Sequence, residues 1–218
     1  MKVLSGFDLQ QACMSATRPG IILDRDGTLI DVVRDEETGV ISVAWSPSQL
    51  RLLPGVLAGL SRLKAAGFGF AIATNQPGPA KGQFSVEAVH RTHHALVAAL
   101  AEADIAISSV EVCWHHPEGS PHGAQELVTN CDCRKPKPGL LLRALANGGF
   151  DPAQSWMIGD SPTDVEAAQR AKLRSALVFA QNRCELCPLR DGSPCVPDVV
   201  ASRFDEVARR ILAARVTS

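Results

Sequence analysis

Residues 21–31 read Ile-Ile-Leu-Asp-Arg-Asp-Gly-Thr-Leu-Ile-Asp, and this stretch decides the fold. Three apolar residues run directly into Asp24, Asp26 follows two positions later, and Gly27 and Thr28 come behind. A short apolar run before a polar turn reads as a buried strand, Gly20 to Asp24. Gly27 lets the backbone turn tightly, so both carboxylates can face one opening. Taken alone, an Asp-x-Asp at a strand end also suits a solvated turn.

Outward from this strand, strands and helices alternate. Residues 54–67 read as a helix opened by Pro54 and closed by Gly67. Residues 68–74 (FGFAIAT) read as a second buried strand, and 85–104 as a long helix with Ser85 as N-cap. Strands are predicted over 107–114, 155–160 and 175–180, and helices over 138–149, 162–171 and 202–216. In the last helix Phe204, Val207, Ile211 and Leu212 share a face. This alternation predicts an α/β fold: a Rossmann-like parallel sheet with helices on both faces. Segments 31–53, 115–137 and 181–201 fall outside the pattern and read as insertions, none of them a large cap domain. In such sheets the ligand site lies beyond the carboxyl ends of the strands. Asp24, Asp26, Thr74, Asn75, Cys113, His115 and Asp160 all fall there.

The chain has 218 residues, 45% of them apolar, which suits one domain over 1–218, with residues 1–18 an N-terminal extension. A net charge of −1 argues against nucleic acid as a partner. No apolar run is long enough for a bilayer, and the N-terminus lacks the apolar core of a signal peptide. The expected compartment is the cytoplasm and the expected state a monomer. Seven cysteines in that compartment point to metal or free thiols rather than disulfides.

Cys113 and His115 form a C-x-H pair, and Cys131 and Cys133 a C-x-C pair sixteen residues after His115. Three thiolates and one imidazole suit tetrahedral Zn²⁺ in a closed structural site, making 113–133 a zinc-stabilised loop. His116 and His122 read as surface residues. Cys184, Cys187 and Cys195 lack a fourth ligand at an obvious spacing and read as reduced thiols. The run His90-Arg91-Thr92-His93-His94 reads as a solvated helix face, and Trp45, Trp114 and Trp156 as packing residues.

The motifs DRDGT (24–28), ATNQ (73–76), a lysine after the third strand, and IGDSPTD (158–164) together resemble the haloacid dehalogenase superfamily of phosphohydrolases. The match in order and spacing covers residues 20–180. The resemblance implies that Asp24 attacks phosphorus to form an aspartyl-phosphate. Asp26 would protonate the leaving oxygen and then activate water. Thr74 would bond a phosphoryl oxygen, with Asn75 also at the substrate, and Lys135 would neutralise phosphoryl charge. Asp160, with Asp24 and the main-chain carbonyl of Asp26, would hold Mg²⁺, and Asp164 would orient Lys135 or a metal-bound water.

The cysteine pairs and CDCRKPKPG (131–139) resemble the zinc-bearing branch that includes the heptose bisphosphate phosphatases and histidinol-phosphatase domains. That likeness implies a small phosphorylated metabolite as substrate, with Arg134 touching it. A D-glycero-D-manno-heptose 1,7-bisphosphate losing its 7-phosphate is expected first, and histidinol phosphate or another sugar phosphate second. Lys81, in the loop after the second strand, could meet a distal phosphate. Two departures bear on substrate: segment 31–53 looks longer than in the heptose enzymes, and Ser161 stands where they commonly have a lysine. A reading of another class, a non-catalytic zinc- or phosphate-binding module, would not need Asp24, Asp26, Thr74, Lys135 and Asp160 together.

Overall fold

The computed structural model describes residues 17–34, 37, 39–179 and 195–216. The N-terminal sixteen residues, Cys184 and Cys187 lie outside the described residues. Six parallel strands form the sheet: β1 (Gly20–Leu23), β4 (Gly69–Asn75), β5 (Ile107–Cys113), β6 (Trp156–Gly159), β7 (Arg174–Val178) and β8 (Val199–Ala201). Their order is β5-β4-β1-β6-β7-β8. The chain builds outward from β1 on one side and returns to its other side at β6, so the order reverses beside β1. Ligand sites of open α/β sheets form at such a reversal.

Helix α1 (Val56–Ala65) lies between β1 and β4, α2 (Val86–Glu102) between β4 and β5, and α3 (Gly139–Gly148) before β6. Helix α4 (Pro162–Arg170) joins β6 to β7, and α5 (Phe204–Val216) follows β8. Ser85 caps α2, its hydroxyl accepting from the Ala88 N–H. Alternate strand residues point to opposite faces. Ile21 and Leu23 therefore join Leu60, Leu96 and Phe204 in one core, while Ile22 joins Leu140, Ala144 and Ala168 in the other. Helices cover both faces, as the alternation predicts.

Two of the segments outside the alternation carry strands of their own. Segment 181–201 ends in a sixth strand, β8, paired with β7; three residues are too few to show a period. Segment 31–53 contains a small antiparallel hairpin, β2 (Val33–Arg34) with β3 (Ile41–Ser42). The 90–94 run is solvated on one side only: His90, Arg91 and His94 are exposed, whereas Thr92 is 0% and His93 5% exposed. Of the tryptophans, Trp156 is buried under the Arg174 guanidinium, whereas Trp45 is 41% exposed and stacks on Phe84. No helix among the described residues is long and apolar enough to cross a membrane, and none of them forms a large cap domain.

Candidate active site

Asp24 leaves the end of β1 with its N–H bonded to the Ile158 carbonyl of β6 at 2.9 Å. Two strands thus fix its backbone. Gly27 adopts φ +84°, and its N–H closes the turn on the Ile30 carbonyl at 2.8 Å. That left-handed conformation is one a side chain would strain.

Lys135 is 4% exposed. Its Nζ donates to Asp24 Oδ1 and Asp164 Oδ1 at 2.6 Å each, and to the Ala73 carbonyl at 2.9 Å. Its main chain is held by Asn75 at both ends: the Lys135 N–H donates to Asn75 Oδ1 at 3.0 Å, and Asn75 Nδ2 donates to the Lys135 carbonyl at 3.1 Å. Asn75, expected at the substrate, therefore faces the lysine's backbone. Asp164 accepts at its other oxygen from the Ser161 N–H and hydroxyl at 3.1 and 2.8 Å. Gly159 makes room for it, since a Cβ there would lie 2.3 Å from the Asp164 carboxylate.

Asp24, Asp160 and Asp164 bring carboxylate oxygens within 4.8 Å of one another. Burial pushes Asp24 up to about 7, with Lys135 opposing and Asp164 and Asp26 reinforcing. Burial works against the Lys135 charge, yet Asp164 and Asp24 outweigh it and hold the ammonium above its ordinary range. Three carboxylates around one ammonium leave the set anionic, which fits a hard divalent cation with oxygen ligands.

Asp26 sits differently. Its Oδ1 accepts from Arg25 Nη2 at 3.0 Å and the Ala44 N–H at 3.2 Å. Its Oδ2 accepts from Arg25 Nε at 2.8 Å and Gln76 Nε2 at 2.7 Å. Gln76 Nε2 also donates to the Thr74 hydroxyl at 3.0 Å, leaving that O–H proton for another acceptor. Arg25 and Gln76 escape sequence reasoning. Arg25 looks like the spacer of Asp-x-Asp, and Gln76 follows the two positions the motif singles out.

The four predicted soft ligands come together. Cys113 Sγ lies 3.6 Å from Cys131 Sγ and 3.2 Å from Cys133 Sγ. His115 Nδ1 lies 3.4 Å from Cys133 Sγ and 3.9 Å from Cys113 Sγ. This cluster could hold a metal ion. Burial holds the Cys113 and Cys133 thiols above their ordinary range, so a metal entering here displaces protons. Arg134 follows directly, its N–H on Cys131 Sγ at 3.4 Å and its Nη1 buried without a partner. Lys81 stands on the loop after β4, its carbonyl accepting from the Ser120 hydroxyl at 2.8 Å.

A HAD-hydrolase-like family model matches residues 132–207, which include Lys135, Asp160 and Asp164. The D-glycero-beta-D-manno-heptose-1,7-bisphosphate 7-phosphatase of Escherichia coli is 31% identical over 185 residues, 85% of this chain and 86% of that one. The chain is a phosphatase of the haloacid dehalogenase family. The Haemophilus influenzae protein of the same name is 37% identical over 155 residues, 71% of this chain and 77% of its own. The crystal structure of the D,D-heptose 1,7-bisphosphate phosphatase from B. bronchiseptica, complexed with magnesium and phosphate, superposes with TM-score 0.71. It is 28% identical and covers 90% of this chain and 99% of that chain. Family membership sets aside the reading of a non-catalytic module.

Proposed function

We propose that this phosphatase removes the 7-phosphate of a D-glycero-D-manno-heptose 1,7-bisphosphate through an aspartyl-phosphate on Asp24. The observation that carries the reading is Lys135, bound at 2.6 Å to Asp24 and Asp164 and placed two residues after Cys133. The named relatives at 31% and 37% identity supply the substrate. The Asp24 carboxylate attacks phosphorus, the bond to the sugar oxygen breaks, and that oxygen takes its electron pair and a proton from Asp26. Asp26, now ionised, takes a proton from water. The water oxygen bonds to phosphorus, the Asp24–phosphorus bond breaks, and inorganic phosphate leaves. Lys135 and the Thr74 hydroxyl stabilise the phosphoryl oxygens, where charge accumulates in a loose transition state.

Asp24, Asp160 and the Asp26 main-chain carbonyl would hold Mg²⁺, which supplies positive charge at the phosphoryl group when bound. Cys113, His115, Cys131 and Cys133 would hold Zn²⁺ and so fix the backbone that delivers Arg134 to the sugar and Lys135 to phosphorus. Asn75 acts through Lys135, and Lys81 meets the distal phosphate. The reading treats the chain as one catalytic domain working as a cytoplasmic monomer. Its support is that one chain supplies every site residue and that Cys113, Cys131 and Cys133 are free thiols.

The deciding measurement is phosphate release with Mg²⁺ from both anomers of heptose 1,7-bisphosphate, from histidinol phosphate and from other sugar phosphates. Asp24→Asn is the control. Preference for a heptose anomer supports the assignment. Turnover of other compounds alone would overturn the substrate and keep the chemistry.

A further inference from the structure

We infer that Trp45, stacked on Phe84, is the shelf on which the sugar of the substrate packs while its phosphate occupies the site, so that this ring pair selects the leaving group. The inference rests on the sugar-phosphate reading of the substrate.

Trp45 is 41% exposed. A lone apolar side chain at a surface is ordinary, but this one is held in place. Its N–H donates to Gln49 Oε1 at 3.0 Å, and the Ser46 N–H donates to the same oxygen at 3.1 Å. Its ring lies 6.3 Å from the Phe84 ring, centroid to centroid, with 13° between the planes. Aromatic pairs prefer such offset stacking. The indole thus rests on protein on one side, and much of the residue stays open.

Both rings are tied to the grip on Asp26. Ala44, next in the chain to Trp45, donates its N–H to Asp26 Oδ1 at 3.2 Å, and its carbonyl accepts from Arg25 Nη2 at 2.7 Å. One peptide unit sets neighbouring Cα atoms about 3.8 Å apart, so Trp45 cannot drift away from Asp26. Phe84 arrives from the loop after β4. In that loop Gln76 donates to Asp26 Oδ2 at 2.7 Å. The Phe84 ring lies against Gly78, two residues on, where a Cβ would stand 2.0 Å from it. The Gln83 N–H closes the loop on the Gly78 carbonyl at 2.9 Å. Two loops therefore leave one carboxylate separately and meet again in one aromatic pair. The pair borders the site on the Asp26 side, where the leaving oxygen sits on the proposed reading.

The chemistry of the shelf names its occupant. Lys135 and the carboxylate cluster deal with the phosphoryl group. The carbon skeleton behind it presents C–H groups that polar side chains do not hold. A flat aromatic ring takes the apolar face of a sugar while the hydroxyls at the sugar's edge keep their water. Aromatic side chains do this with few torsions to freeze, and small-molecule sites are commonly lined by such surface with few polar groups. The long 31–53 segment thereby gains a role: it brings an aromatic face to the leaving group.

The test compares two inhibitors that share the phosphate site and differ in the sugar. Inorganic phosphate and heptose 1-phosphate are the two products, and only the second has a ring to lay on the shelf. In Trp45→Ala we expect the inhibition constant of heptose 1-phosphate, and KM for the 1,7-bisphosphate, to rise about 10- to 100-fold, the scale of a lost stacking contact. The inhibition constant of inorganic phosphate and kcat should stay within about threefold of the parent, because the lost contact serves ground state and transition state alike. Trp45→Phe keeps a flat ring and should stay within about fivefold of the parent on every constant. Phe84→Ala removes the support and should move the same two constants the same way, by less. If Trp45→Ala does not fold by circular dichroism, Phe84→Ala decides. Equal rises for both inhibitors, or no rise for either, would overturn the inference. So would unchanged constants with a changed sedimentation coefficient, which would make exposed Val40, Ile41 and Trp45 an interface between copies of this chain. If the parent hydrolyses another cyclic sugar phosphate and not the heptose, the heptose reading falls, and the same constants measured on that sugar decide the shelf.

Discussion

The carboxylate cluster and the thiol cluster stand at the same rim of the sheet, yet they hold their shape by different means. Asp24, Asp160 and Asp164 have an internal cation, Lys135, tied to strand ends on both sides. Cys113, His115, Cys131 and Cys133 lean mainly on one another, at 3.2–3.9 Å, with the Arg134 N–H on Cys131 Sγ at 3.4 Å. Two of these thiols are held in the protonated form by burial. The first site is pre-organised by the fold. The second would close its loop through whatever metal the four ligands hold. On the proposed reading, a metal at the first would serve reaction, and a metal at the second architecture.

The sharpest test of that contrast starts with Asp24, the proposed nucleophile. Asp24→Asn should abolish phosphate release, by about 10⁴-fold or more in kcat, with the melting temperature unchanged or raised, because it removes a buried charge. Lys135→Met should cost about 10²–10³-fold in kcat, as the loss of a preorganised electrostatic partner does. It should also destabilise, since Asp24 and Asp164 lose their shared cation. Cys133→Ser should invert the pattern. It should remove about 4 kcal/mol or more of stability, the scale reserved for lost metal sites, or roughly 8–16 °C in Tm. Its kcat should fall only as far as the loop carrying Lys135 slackens. Equal Tm losses from Cys133→Ser and Lys135→Met would break the comparison.

The smallest effect is on pH dependence. Burial, then Arg25, His90 and His94, push His93 down to about 3 from 6.5. The unfolded chain binds a proton below 6.5 that the folded chain refuses, so this group adds stability as pH rises from about 3 to 6.5. Asp24 has the opposite sign: raised from 3.8 to about 7, it removes stability as pH rises through that window. Each slope is at most about 1.4 kcal/mol per pH unit. His93→Met, followed by urea unfolding of metal-free protein from pH 4 to 6.5, should tilt the profile toward falling stability with pH. An unchanged slope would mean that His93 is protonated in the fold.

Why was so much of the carboxylate site readable? Each of its members ends a strand or opens a helix, and sequence patterns mark those positions. The two cysteine pairs were readable because tight spacing survives folding. The grip on Asp26 was not. Arg25 has the sequence look of a spacer, and the Ala44 contact comes from main-chain atoms that no residue type announces. His93 did leave a signal. Val89, His93, Leu96 and Leu100 follow helical spacing and are all buried, but three histidines in five positions suggested water. Strand β8 was too short to declare itself.

The Ala44 contact has a consequence for how such an enzyme can change. The carbonyl and the N–H of one residue hold Arg25 and Asp26, and neither depends on the side chains around it. The segment from Asp31 to Leu53 can therefore rewrite its outward surface, Trp45 included, while the chemistry beneath stays as it was. Selection for a new leaving group acts on one set of atoms and selection for turnover on another, so the two need not compete for the same mutations.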